Sequence, residues 1–281
     1  MLAISQFQWF VPQNGYEAVD AAKGRAIVAG TWLDWITGMP ARWYAPLREE
    51  PSLFKNFASL NPTENEFLAF ANKYGWLGRG TATHGNVKSN ESIDLWEFHH
   101  FKLRRAVALW EMSRRGDFKG LKKFLEWYPG NENGFPAGWH YDDQPYGTGR
   151  IPDLPGIPYR EDDVFTPAVV RLQSMVNEKL EENSCPGIVH SSEGGRPSLQ
   201  IIPKNLLGAM WLQLAAAMAG SKEYRACADC GKWFEISRDG RAGRGGTMRK
   251  LYCNSACKLR DFRRKKAEKI TAKQTKSKRK K

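Results

Sequence analysis

The sequence predicts an α+β protein in two unequal parts. A mainly helical amino-terminal domain occupies residues 1–220, and a small cysteine-bearing module over 221–270 leads into a basic tail, 271–281. Three observations carry this division: capped runs with helical apolar spacing recur through the first part, four of the five cysteines fall between positions 227 and 257, and the whole positive excess lies beyond residue 220.

In chain order, the first clear helix signal is the capping box TENE at 63–66. There Thr63 and Glu66 precede a run that puts Phe67, Phe70 and Tyr74 on one face, and Gly75 can end it. A longer helix begins near Ser92 and places Ile93, Trp96, His100 or Phe101, Leu103, Val107 and Trp110 on a broad apolar side before Gly116. The stretch DFKGLKKFLEWY reads as a short helix presenting Phe118, Leu121, Phe124 and Leu125, and another helix starts at Thr166 with Pro167 in its first turn. Between them, residues 129–163 hold six prolines and six glycines, so a long loop without helix or regular central strand is expected. Its aromatic residues, Phe135, Trp139, Tyr141, Tyr146 and Tyr159, predict that the loop packs on the domain, where it has the length to cover a pocket. SLQIIP at 198–203 reads as a strand. LLGAMWLQLAAAMAG, from Leu206, reads as a buried helix that is too short to cross a bilayer. The first residues lack the basic flank and apolar run of a secretory signal, so a cytoplasmic location is expected.

A reducing compartment disfavours disulfides and directs attention to metal binding. Cys227 and Cys230 are separated by two residues, Cys253 and Cys257 by three, and the pairs by 22, which is close to zinc-site spacing. Gly231 allows the backbone to turn tightly around an ion, and Ser255 precedes the helix-compatible run ACKLRDFRRKKAEKI, whose start places Cys253 and Cys257 on one side. Trp233, Phe234, Leu259 and Phe262 are expected to supply a small apolar core, too thin to fold without the ion. Four thiolates complete a tetrahedron and leave no open position, so one structural Zn2+ per chain is expected. Residues 221–281 contain no histidine, which argues against a nuclease built on such a module.

Residues 221–281 carry 21 Lys and Arg against 6 Asp and Glu, a formal +15, whereas residues 1–220 sum to −2. That asymmetry is the electrostatic footprint of a nucleic-acid partner. The candidate contacts are Arg249, Lys250, Lys258, Arg260, Arg263, Arg264, Lys265 and Lys266, and the loop SRDGRAGRGGTMRK adds Arg238, Arg241 and Arg244. The tail TAKQTKSKRKK has no apolar periodicity and reads as disordered.

The order CxxCGKxF, a basic glycine-rich loop, and YCxxxC followed by KLRDFRRKK resembles the bacterial CGNR-type and related treble-clef zinc fingers. The resemblance covers about residues 205–268, and within CKLR, 257–260, Cys257 and Arg260 match the name motif. It implies a treble-clef-like four-cysteine finger that binds nucleic acid, DNA in preference to RNA, and regulates transcription; the front domain is read, apart from the resemblance, as one for assembly or for sensing a small-molecule ligand. Two other classes stay open: a zinc-dependent protein-interaction adaptor, and an enzyme whose front domain acts on nucleic acid. For the latter, His84, His99, His100, His140 with Asp142 and Asp143, His190 and Cys185 form no recognisable catalytic spacing, so a non-enzymatic role is the stronger expectation.

Overall fold

The computed structural model describes residues 7–13, 15–21, 24–29, 41–78, 90–132, 136–152, 159–189, 197–220, 223–236 and 250–278. The chain opens with short strands. β1 (Trp9–Pro12) pairs antiparallel with β4 (Ala41–Tyr44), and β2 (Tyr16–Ala21), β3 (Gly24–Ala29) and β5 (Asn90–Ser92) form a three-stranded antiparallel sheet in that order. None of these strands, three to six residues long, was legible in the sequence.

Helices α1 (Pro46–Glu49), α2 (Leu53–Ala58) and α3 (Glu64–Tyr74) follow. Half of the capping box forms: Thr63 Oγ1 accepts from the Glu66 amide, but the Thr63 amide donates to the Asn61 carbonyl and not to Glu66, and Gly75 takes φ +95° at the other end. The long helix α4 (Ile93–Arg115) begins where Ser92 Oγ accepts from the Leu95 amide at 3.2 Å and stops at Gly116, which adopts left-handed φ +66°. Trp96, His100, Leu103, Val107 and Trp110 are buried along it, and α4 lies between α2 and α6 (Phe165–Asn183).

The DFKGLKKFLEWY segment departs from its expected form. Helix α5 covers only Phe118–Leu121, Phe118 is exposed, and Leu125–Tyr128 forms strand β6. The proline- and glycine-rich stretch also contains regular structure. β7 (Gly138–Asp142) is the central strand between β6 and β8 (Thr148–Arg150) in an antiparallel sheet. The reason is positional: Pro129 and Pro136 flank the β6–β7 connection, Pro145 sits in the β7–β8 turn and Pro152 follows β8, so every ladder position keeps its N–H. Packing of the segment on the domain is observed. Trp139 and Tyr159 are buried, and Trp139 Nε1 donates to the Arg160 carbonyl at 3.0 Å. Phe135 lies outside the described residues.

Helix α6 starts one residue before Thr166, where the Asp163 carboxylate accepts from the amides of Phe165 and Thr166. A hairpin follows, β9 (Ser184–Val189) with β10 (Ser198–Pro203), so the SLQIIP strand is present and its partner carries Cys185. Helix α7 (Leu206–Ala219) is enclosed on nearly every side. It approaches the end of α6 so closely that a Cβ on Gly208 would lie 2.2 Å from the Asn183 carbonyl oxygen. The one polar interruption, Gln213, is buried but satisfied: its Nε2 donates to the carbonyls of Pro46 and Glu50, and its Oε1 accepts from the Phe54 amide. Among the described residues no helix is long and apolar enough to cross a membrane.

Beyond α7, β11 (Glu223–Ala226) and β12 (Trp233–Ile236) form an antiparallel hairpin. Helix α8 (Ser255–Lys278) then closes the described chain. Its length corrects the expectation of a disordered tail from residue 271. No glycine or proline occurs after position 254, and Ala, Lys, Gln and Arg all favour the helix.

Candidate metal centre and its basic helix

The hairpin and the helix start bring the two cysteine pairs together. Cys227 and Cys230 sit in the turn between β11 and β12, where Gly231 takes φ +70° and its amide donates to the Cys227 carbonyl at 3.0 Å. Cys253 lies just before α8 and Cys257 in its first turn. The cap is Asn254 and not Ser255, since Asn254 Oδ1 accepts from the Cys257 amide at 2.9 Å. The two halves are joined by the Ala228 amide donating to the Leu251 carbonyl at 2.9 Å.

All four Sγ atoms lie within 4.8 Å of one another, with Cys230–Cys253 at 3.7 Å and Cys253–Cys257 at 3.6 Å. A tetrahedral ion with bonds of about 2.3 Å to sulfur requires S···S edges of about 3.8 Å. These side chains therefore fit a metal ion with little movement, and a set of four thiolates suits zinc. Among the described residues no other group of three or more His, Cys, Asp or Glu side chains is placed to hold a metal ion. Cys185 stands apart in β9, where its Sγ contacts the Ile202 carbonyl at 3.8 Å.

The electrostatics of the quartet are compatible with a bound cation. Burial disfavours ionisation of Cys227, but amide donors from Cys230, Cys253 and Asp229 outweigh it and draw this thiol down to about 6. Burial pushes Cys253 and Cys257 upward, and the Cys227 and Cys230 sulfurs add to it, while the Cys257 contact partly offsets the shift at Cys253. The peptide groups thus favour one thiolate and the cluster resists the next, a conflict that a divalent ion removes. Arg260 also donates from its guanidinium to Cys257 Sγ at 3.1 Å.

The basic candidates fall into two groups. Arg260 and Arg264 pair with Asp229, and Arg264 and Lys265 pair with the buried Asp261, which also accepts from Tyr252 Oη at 2.7 Å. These contacts hold the Asp261 carboxyl at about 2, the Lys265 hydrogen bond being the largest cause. Arg260 and Arg264 are therefore paired within the module while their side chains stay more than half exposed. Lys258, Arg263 and Lys266 are exposed and have no carboxylate partner among the described residues. Lys250 lies with its Nζ 5.4 Å from the centre of the Phe234 ring. Arg238, Arg241, Arg244 and Arg249 lie outside the described residues, as do 279–281.

The expected apolar core is also redistributed. Phe234 and Ile236 are buried with Cys227 and Cys257, and Tyr252 packs against them. Leu259 and Phe262 instead face outward, 54% and 65% exposed. Trp233, at the start of β12, stays out of this small core and docks on α2. Ser52 Oγ donates to its carbonyl at 2.5 Å, its amide donates to Asn56 Oδ1 at 2.9 Å, and its indole N–H donates to Ser59 Oγ at 2.8 Å. Lys55 Nζ lies 3.8 Å from the centre of the Trp233 ring, closer than to the Tyr224 and Trp110 rings, and pairs with Glu111. Lys232 pairs with Glu50 at 2.5 Å beside it.

Sequence reasoning missed Asp229, Asp261 and Tyr252. Their only signal was position, an acid between the first two cysteines and another four residues after the last. Among the described residues the histidine candidates are scattered, and His140 lies in β7 opposite Glu126 of β6. His99 and His100 are buried in α4, Asp143 pairs with Arg171, Arg105 and Lys102 at 2.7, 2.9 and 3.6 Å, and His84 and His190 lie outside the described residues. No family model, curated protein or solved structure matches the chain.

Proposed function

We propose that residues 221–270 form a treble-clef-type finger held by one structural zinc ion, that its basic helix binds nucleic acid, DNA in preference to RNA, and that the whole chain regulates transcription. The observation that carries this reading is the four-sulfur cluster at the start of a helix whose exposed side holds cations with no carboxylate partner among the described residues, within a segment of formal charge +15. A metal centre without an open coordination position organises a surface and performs no reaction of its own. The preference for DNA rests on the resemblance of CxxCGKxF and YCxxxC to DNA-binding fingers.

The front domain supplies the regulatory half of the proposal. A cleft of about 520 Å³ lies between α4, α6 and α7, lined by Trp110, Leu172, Val176 and Met218 among others, and it is a suitable seat for an apolar small molecule. The test is retention of the zinc-loaded full chain on duplex DNA over a salt series, alongside Cys253→Ser. The expected result is binding whose logarithm falls linearly with log salt and which the cysteine variant loses. Equal retention of both proteins would remove the finger from the function.

A further inference from the structure

We propose that the outward face of α8 is a base-contacting surface, with Leu259 and Phe262 as its apolar centre and Lys258, Arg263 and Lys266 as its phosphate-holding rim. The proposal rests on the nucleic-acid reading above and specifies the state of the nucleic acid: a strand with accessible base faces, either single-stranded or opened at a base step.

The geometry of the helix makes the assignment. At 100° per residue, Ser255, Leu259, Phe262 and Lys266 fall within roughly 60° of one another, flanked by Lys258 and Arg263. The opposite side carries Cys257, Arg260, Asp261 and Arg264, the side chains that face the sulfur centre and Asp229. Each carboxylate near the metal is therefore paired on the inner side, and the outer cations have no carboxylate partner among the described residues. A leucine and a phenylalanine more than half exposed on a helix held by a metal centre are costly to leave in water, and nothing in the finger's own small core needs them. Next to this face, Lys250, Leu251, Tyr252, Asn254, Ser255 and Lys258 line a depression of about 400 Å³, in which Leu251 is also 51% exposed.

Charge selects the occupant. Cations bordering an aromatic ring match the alternation of phosphate and base along a nucleic-acid strand, and bases offer π-faces to Phe262. Within a regular duplex those faces are covered by stacking, so Phe262 requires a single strand or a step that an apolar wedge has opened.

The experiment uses the zinc-loaded full chain with a mixed-sequence oligonucleotide carrying 2-aminopurine, as a single strand and as its duplex, over a salt series. Zinc content confirms that each variant is folded, and exposure of the replaced side chains makes folding failure avoidable. Phe262→Ala is expected to weaken binding by about 5- to 100-fold and to abolish the 2-aminopurine response without changing the salt slope, and Phe262→Trp restores both. The triple variant Lys258→Ala, Arg263→Ala, Lys266→Ala is expected to reduce the salt slope on the single strand by about 2. A response on the single strand alone assigns single-strand binding, and a response on the duplex as well assigns an opened step; either supports the proposal. If the wild type binds but Phe262→Ala matches it in affinity and fluorescence, the proposed face is wrong and the nucleic-acid reading stands. If the wild type binds neither probe at low salt, both fail. Phe262-dependent binding to polyglutamate, with nucleic-acid binding indifferent to Phe262, overturns the proposal in favour of an adaptor.

Discussion

The front domain and the finger differ in what encloses their interiors. In the front domain Leu53, Phe54, Phe57, Phe67, Trp96 and Trp211 are sealed from solvent in one continuous cluster that reaches from β1 to α7. The buried cluster of the finger comprises Cys227, Phe234, Ile236 and Cys257, and two of these four are metal-ligand candidates. Apolar burial sustains the first region, and the second has so little of it that its stability is expected to depend on an ion held by the four cysteines. The two are nevertheless joined, because Trp233 passes from the finger onto α2 and sits against Lys55.

The sharpest way to break this contrast is to remove the metal. Chelation or Cys253→Ser should unfold the finger and leave the α4–α7 core cooperative, since a structural zinc contributes about 10–16 kcal/mol to such a module. Metal analysis should find one zinc per chain in the wild type and in Cys185→Ser, and none in Cys253→Ser. A Cys253→Ser protein that keeps its zinc would overturn the ligand set.

A smaller effect should belong to the front domain alone. His100 is buried against the rings of Phe57 and Phe67, and burial, assisted by Arg104, lowers its imidazole to about 4. Its folded pKa lies below the unfolded value of about 6.5, so the unfolded chain takes up the proton first as pH falls. Stability from this group is complete above pH 6.5 and is lost progressively down to about pH 4, by up to about 3 kcal/mol. Urea unfolding of the front-domain transition across that range should show the slope, and His100→Gln should flatten it. An unchanged slope in the variant would assign the acid sensitivity elsewhere.

The smallest effect concerns the joint between the regions. Burial lowers the Lys55 pKa, Glu111 opposes that shift, and three aromatic rings surround the ammonium. A double-mutant cycle of Lys55→Met with Trp233→Leu should return a coupling of about 1–2 kcal/mol. Additive changes would mean that the finger touches α2 without being energetically linked to it.

Much of this was readable from local sequence. Thr63, Ser92, Gly75 and Gly116 act as caps because capping depends only on residues within a few positions. The cysteine quartet was readable for a similar reason, as thiolate pairs at short spacing have few other uses in a chain of this size. The strands, SLQIIP apart, were not. β7 lies in a segment whose composition argues against it, and it forms because the prolines happen to fall between ladder positions and because Trp139 gains burial against the domain. Leu259 and Phe262 were expected inside and are outside, since their helix is oriented by Cys257 and Asp261 and not by its own most apolar residues.

The sequence by itself determined the four-cysteine set, the +15 segment and the main helices with their ends. Only the tertiary structure decided which cations are engaged by Asp229 and Asp261, which remain on the outer face, and where Trp233 docks. The physical reason is range. Caps, turns and charge density are properties of neighbouring residues, whereas a carboxylate finds its guanidinium only after the sulfur centre has brought the β11–β12 hairpin to the first turn of α8.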